Sequence, residues 1–403
     1  MKKTIITLTL SISLNFGFCQ INNTTSNKLT QELENIYSRD HITGFSVAIV
    51  DQKNILFTKG FGYSDIKKKL EYTENTIQNI ASISKTFIGI ALLKAQELNK
   101  LKLDDPINKY LSFQVTNPYF PNHEITIRQL ATHTSSIKDA SSYEKYGYIL
   151  KERNNDGTKV NRNFRLPSEM LAQNTFLKQI LSIDGKWYKK GSFLKNIPGE
   201  KFEYSNIAAG LAALVLENAT GKSFSEFTNE YIFKPLTMSN TGWSFNEVNI
   251  LKHSKLYASA ETELAFYLLV NYPDGGLITS SSDLGKYLSE LIAGFNGKGK
   301  ILNKKSYDEL FTPQLTEGHF EERNDSAYND EYNMGIFMGI SAQNQIGHTG
   351  GDPGVATHMF FNTKTGVGKI LIVNTDLNKE GVKEFIDIWK KLEEYENELK
   401  NSR

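Results

Sequence analysis

Cysteine is almost missing from this chain of 403 residues: Cys19 is the only one, so no internal disulfide can staple the fold. The seven histidines are scattered and no H-E-x-x-H or C-x-x-C spacing occurs, which leaves a metal site or a cofactor without support. An excess of either charge is missing too. Lys plus Arg number 46 against 45 Asp plus Glu, a net charge of +1, and no global field is available to attract nucleic acid or an anionic membrane surface. Past the N-terminus no stretch approaches the ~20 apolar residues needed to cross a bilayer, so no integral membrane span is expected. What is present, 39% hydrophobic and 11% aromatic residues, suffices for packed cores and excludes bulk disorder, and the length suggests two to three domains.

The first residues, Met1-Lys2-Lys3, are basic, and Thr4 to Phe18 carry no charge. This pattern predicts a secretory signal peptide over 1–19, with Gly17 and Cys19 as the small residues before the cleavage point. The mature protein is therefore expected to be exported, either periplasmic or secreted. A lipid anchor on Cys19 is the alternative reading, and the bulky Phe18 directly before it argues against that.

Further on, Thr30 to Tyr37 reads as a helix, and Gly44 to Val50 and Ile55 to Thr58 read as a hairpin around Asp51-Gln52-Lys53-Asn54. Apolar residues recur at helical spacing from Ser82 to Leu98, with further helices at Asn206 to Glu217, Ser282 to Ile292 and Glu384 to Lys400. Strands return at Thr357 to Phe361 and Val367 to Val373. The expectation is a discontinuous α/β sheet domain, 26–75 with 276–403, built from both ends of the chain around a mainly helical subdomain at 76–275. Within the latter, 138–196 is polar and weakly periodic and reads as a long surface excursion.

A serine followed three residues later by a lysine on a helix places an amine one turn from the hydroxyl, a geometry for activating a nucleophile. S-x-x-K occurs five times: Ser64-Lys67, Ser82-Lys85, Ser135-Lys138, Ser142-Lys145 and Ser192-Lys195. Only Ser82 opens a long apolar-periodic helix, where its hydroxyl and backbone N–H would sit at the positive helix end. In the penicillin-recognising enzymes this motif is accompanied by S-x-N or Y-x-N and by K-T-G or H-T-G. Y-x-N occurs at Tyr204-Ser205-Asn206, at the entrance of a helix, and at Tyr395-Glu396-Asn397 in a charged C-terminal helix that reads as a solvated face. Lys364-Thr365-Gly366 falls in the turn between two strands, whereas His348-Thr349-Gly350-Gly351 precedes that hairpin and could form an edge strand of the same sheet.

With Ser82, Tyr204 and His348 in this order, the chain resembles the serine β-lactamase and penicillin-binding-protein-like superfamily. The group in question holds class C β-lactamases, D-alanyl-D-alanine carboxypeptidases, D-aminopeptidases and related esterases. Leu103-Asp104-Asp105-Pro106-Ile107, Leu130-Ala131-Thr132-His133-Thr134-Ser135-Ser136 and Gly275-Gly276-Leu277 are similar to further landmarks of that group, with Ser136 standing where glycine is common. The resemblance implies an α+β fold of the β-lactamase/transpeptidase type: a mixed, mostly antiparallel sheet flanked by helices, with a helical subdomain beside it. It implies Ser82 as nucleophile, Lys85 as its activator and Tyr204 as proton relay. Asn206 would orient the substrate or Lys85, His348, Thr349 and Gly350 would line the cleft, and the N–H groups of Ser82 and Gly351 would form the oxyanion hole. His133 is in a segment that is structural in the resembling proteins. The function implied is that of an exported serine hydrolase working through an acyl-enzyme on a D-amino-acid peptide, ester or related acyl substrate, small or peptidoglycan-like. Histidine in the third motif places a true β-lactamase second, beside a non-turnover β-lactam or peptidoglycan sensor. A scaffold acting through 138–196 is a third reading.

Overall fold

The computed structural model describes residues 13–153 and 158–402, with side chains from residue 24 onward. The expected signal segment lies outside the described residues up to residue 12, and the first helix, Ser13–Tyr37, takes in its remainder. An eight-stranded sheet runs in the order Asn333–Met334, Gly339–Ile340, Gln345–Asp352, Val355–Asn362, Val367–Val373, Gly44–Val50, Ile55–Asp65, Leu70–Glu71. Every neighbouring pair is antiparallel. The two chain ends meet at its centre, where Phe45 stands opposite Val373 and Ile49 opposite Lys369.

Both central strands are buried along their whole length, which is why they read as nearly unbroken apolar runs. Alternation sends successive side chains to opposite faces. Ala48, Val50, Ile370 and Ile372 join the large core shared with the helical subdomain, while Phe45, Val47, Ile49, Leu371 and Val373 join a second core under the terminal helices. Helix Ser281–Phe295 covers the first face, and helices Ser13–Tyr37 and Lys379–Asn401 pack together over the second.

The expected helix from Ser82 begins instead as a 3-10 turn, Ala81–Ile83, and continues as an α-helix, Ser84–Glu97, packed against helix Asn206–Thr220. The latter starts with the Ser205 hydroxyl accepting from the Ala208 N–H at 3.0 Å and ends at Gly221, whose φ of +73° is the usual left-handed stop. The 138–196 segment is more ordered than its composition suggests. It holds helices Ser141–Tyr146 and Gln173–Leu181 and short strands Tyr148–Leu150 and Phe164–Arg165, with Tyr143, Ile149, Phe176, Leu177 and Ile180 buried. Trp187 stacks on Tyr146 at 4.3 Å and so supports the segment from within. Among the described residues no helix is long and apolar enough to cross a membrane.

Candidate active site

Ser82 sits in the turn between a short strand, Gln78–Asn79, and its helix. Ala81, directly before it, adopts φ +49°, a left-handed conformation that costs a residue with a Cβ roughly 1–2 kcal/mol. The surroundings hold it there: the Ile80 N–H donates to the Leu277 carbonyl at 3.0 Å, the Ile80 carbonyl accepts from the Thr357 hydroxyl at 2.9 Å, and the Ser84 hydroxyl accepts from the Leu277 N–H at 3.1 Å. The Gly275-Gly276-Leu277 landmark thus braces the turn that carries Ser82.

Lys85, fully buried, places Nζ 2.9 Å from Ser82 Oγ and donates to the Asp274 carbonyl at 2.7 Å. The same nitrogen lies 5.1 Å from the centre of the Tyr204 ring. Burial pulls the ammonium of Lys85 below its usual range, opposed by the charges of Asp274, Asp139, Asp352 and Asp330. Burial pushes the Tyr204 phenol well above the usual range, and its hydrogen bond with Ser82 works the other way. Burial thus favours the neutral form of both groups beside the Ser82 hydroxyl.

Gly350 allows the strand Gln345–Asp352 to close on this turn, since a Cβ there would stand 2.6 Å from the Ile80 carbonyl oxygen and 2.3 Å from the Thr357 hydroxyl. This strand is not the expected edge of the sheet. Its first half pairs with Gly339–Ile340, through Gly347 and Ile346, but that partner is only two residues long, so His348 to Asp352 are left bare on that side. The Thr349 N–H donates into the open side, to Asp330 at 2.7 Å. Backbone groups two apart on a strand point the same way, so the Gly351 N–H faces the same open edge.

His348 is held at its Nδ1, 2.9 Å from Asp330 Oδ2 and 2.6 Å from the Thr349 carbonyl. Burial alone would push Asp330 up, but His348 and the Thr349 N–H bring its carboxyl down to about 2. Asn206, expected to orient the substrate or Lys85, has its amide held by a neighbouring carboxylate. Its NH2 group donates to Asp139 at 2.7 Å, and Asp139 caps this helix end, also accepting from the Ser205 hydroxyl and the Asn206 and Ile207 N–H groups. His133 lies behind Tyr204, rings 4.5 Å apart, accepts from the Ser205 N–H at 3.2 Å, and is held well below its usual range by burial. It supports the tyrosine from the rear. At Ser136 the backbone has φ +66°, which accounts for glycine at this point in the resembling proteins; here Asn117 donates to the Ser136 hydroxyl at 2.8 Å.

The rival motifs go elsewhere. Lys67 pairs with Glu263 at 2.9 Å, and Lys145 and Lys195 lie over the rings of Tyr146 and Tyr119. The Lys364 and Thr365 N–H groups donate to Asn362 in a hairpin turn. Four residues not singled out by the sequence complete the site. Tyr143 donates to Asp274 at 2.7 Å and Tyr148 to Asp352 at 2.6 Å, both tyrosines coming from the 138–196 segment. Burial pushes Asp352 up to about 6, and Asp274 also upward. Among the described residues no cluster of three or more His, Cys, Asp or Glu could hold a metal ion.

The model of the family described as Beta-lactamase matches residues 27–393. The chain belongs to the β-lactamase family. Its fold is therefore that of a family of serine hydrolases. "Protein flp" of Staphylococcus aureus (strain MRSA252) is 27% identical over 374 residues, covering 91% of this chain and 66% of that protein. The chain thus spans just under two thirds of the length of this relative. "Teichoic acid D-alanine hydrolase" of Staphylococcus aureus is 25% identical over 350 residues, 85% of this chain and 73% of that one. Among solved structures, the D-amino acid amidase from Ochrobactrum anthropi SV3 superposes with a TM-score of 0.68 at 21% identity, covering 95% of this chain and 99% of the other. At that identity the likeness is one of fold.

Proposed function

We propose that this β-lactamase-family chain is an exported acyl-enzyme hydrolase whose substrates are D-aminoacyl esters or amides with a free amino group. Ser82 attacks the acyl carbonyl, Lys85 takes the hydroxyl proton, and Tyr204 passes a proton to the leaving alcohol or amine. The N–H groups of Ser82 and Gly351 receive the oxyanion. Water then repeats the sequence to release the acid. The observation that carries this reading is the amine of Lys85, fully buried, within 2.9 Å of Ser82 Oγ and with a carbonyl rather than a carboxylate as its other contact. A neutral amine can accept from the serine while donating to that carbonyl. A positioned base contributes ~10²–10⁴-fold and an oxyanion donor ~2.7–4 kcal/mol.

The substrate class rests on charge. Asp139, Asp274, Asp330, Asp352 and Glu331 all act on or feel the Lys85 charge, so the cleft suits a cationic acyl group. Asp330 offsets any positive charge on His348, and the strand is then a poor partner for the carboxylate of a β-lactam or of a C-terminal D-alanine. The names of two similar proteins, a D-alanine hydrolase and a D-amino acid amidase, support the same choice.

The test is intact-protein mass spectrometry and product analysis with D-alanyl, N-acetyl-D-alanyl and L-alanyl esters, a penicillin and a D-Ala-D-Ala peptide. The expected result is a Ser82 acyl adduct and at least tenfold faster turnover of the free D-alanyl ester than of its N-acetylated form. Full turnover by Ser82→Ala overturns the nucleophile, a lasting adduct without product turns the protein into a sensor, and a preference for penicillin overturns the substrate class.

A further inference from the structure

The Asp274 carboxylate has no place in the proton transfers just described, yet it is 1% exposed and its Oδ2 accepts two hydrogen bonds. Tyr143 and Asn271 each donate to its Oδ2 at 2.7 Å. Asn271 in turn donates to the Asn206 carbonyl at 2.9 Å and accepts from Gln173 at 3.1 Å, so one residue ties the second motif, the 138–196 segment and the backbone carbonyl that holds Lys85. Among the described residues no ion pair reaches this carboxylate, and the cation whose charge acts on it through space is Lys85.

We propose that Asp274 is a positioning residue that sets the proton affinity of Lys85, and that Tyr143 lets the 138–196 segment adjust it. The proposal rests on the serine-hydrolase reading for its consequence but not for its physics. Its carbonyl fixes where Nζ stands, and its carboxylate fixes how readily Nζ gives up a proton. Other groups acting on Lys85 are Asp139 from the mouth of the helix Asn206–Thr220, Asp352 and Asp330 at the open strand, the Glu331 carboxyl, and the Tyr204 and His133 rings. Those acting on Asp274 are Lys85, Tyr143 and Asp352. Burial drives the lysine towards the neutral amine while the Asp274 charge, first among the four carboxylates, restrains it. Removing that charge makes Lys85 neutral at lower pH, and the acid limb of Ser82 reactivity moves down with it.

The rate of Ser82 labelling by a fluorophosphonate is followed from pH 4 to 10 in wild type, Asp274→Asn and Tyr143→Phe, each checked for cooperative thermal unfolding. In parallel the Cε resonance of Lys85 is titrated in lysine-13C-labelled protein. Asp274→Asn is expected to move the acid limb and the Lys85 titration down together by about one unit, a tenfold faster labelling on the low-pH side. Tyr143→Phe removes one donor that holds the Asp274 carboxyl down, so a smaller fraction of it is ionised, and the variant is expected to move both the same way by less. Unchanged titrations in both variants, or an upward shift in either, overturn the proposal. If Ser82 is not labelled in wild type at any pH, the hydrolase reading fails, and the Lys85 titration alone decides this one.

Discussion

Lys85 and Lys369 are buried to nearly the same degree on opposite sides of the sheet, each beside an aromatic ring, and they have opposite characters. Lys369, on the strand Val367–Val373, meets the Glu396 carboxylate directly, under the cover of the C-terminal helix. Lys85 meets a carbonyl and a hydroxyl, and its carboxylates stand back. A carboxylate in contact gives a buried amine a partner of opposite charge, whereas a carbonyl and a hydroxyl offer it only dipoles. Burial of a lysine is therefore no guide to chemistry until its contact partners are known.

Replacing each lysine with alanine separates the two cases most sharply. Lys85→Ala is expected to cut ester turnover by ~10²–10⁴-fold, with little change in the thermal midpoint. Lys369→Ala strands Glu396 in the core and is expected to cost about 3–5 kcal/mol in urea unfolding, with the Ser82 labelling rate of the folded protein unchanged. If the first lost its fold and the second its labelling, the contrast would collapse.

Asp352 refines it. Its contact is a phenol rather than a cation, and burial raises its carboxyl to about 6, against ~3.9 for an unfolded aspartate. Between those values the folded state holds a proton that the unfolded state releases, so this group's contribution to stability is complete below about pH 4 and lost as pH rises through 6. Asp352→Asn keeps an oxygen for Tyr148 but cannot ionise. Thermal scans from pH 4 to 8 should show its midpoint gaining on wild type over that window; a widening deficit would place the carboxylate in a stabilising pair. Smallest of all, Lys364→Ala in the decoy motif should change stability by less than ~0.5 kcal/mol and labelling not at all. A loss of labelling would mean that the wrong third motif had been chosen.

These contrasts also mark how far the sequence could be read. The strands Gly44–Val50 and Val367–Val373 stand where β-branched runs put them, and Ser82 was separable from four other S-x-x-K serines because only it opens an apolar-periodic helix. Local pattern carries that kind of information. It does not carry the meeting of Tyr143 with Asp274 or of Tyr148 with Asp352, which are 131 and 204 positions apart. Asp139, which claims the Asn206 side chain, is 67 positions away and equally silent in the pattern. The 138–196 segment hid its order because its helices and strands are too short to establish a period, the longer helix spanning nine residues.

The ends of that segment meet. Lys138 N–H donates to the Ser192 carbonyl at 2.9 Å, Leu194 N–H to the Ser136 carbonyl at 2.8 Å, and Asn117 fastens both sides through Ser136, Leu194 and Asn196. A stretch of chain closed at its base in this way is a cassette: evolution can lengthen, shorten or exchange it without disturbing the turn that carries Ser82 or the strand that carries Gly351. Because Tyr143 and Tyr148 travel inside it, an exchange would replace the partners of Asp274 and Asp352 in one step. If Asp274 sets the proton affinity of Lys85, grafted cassettes should therefore shift the pH profile of Ser82 labelling.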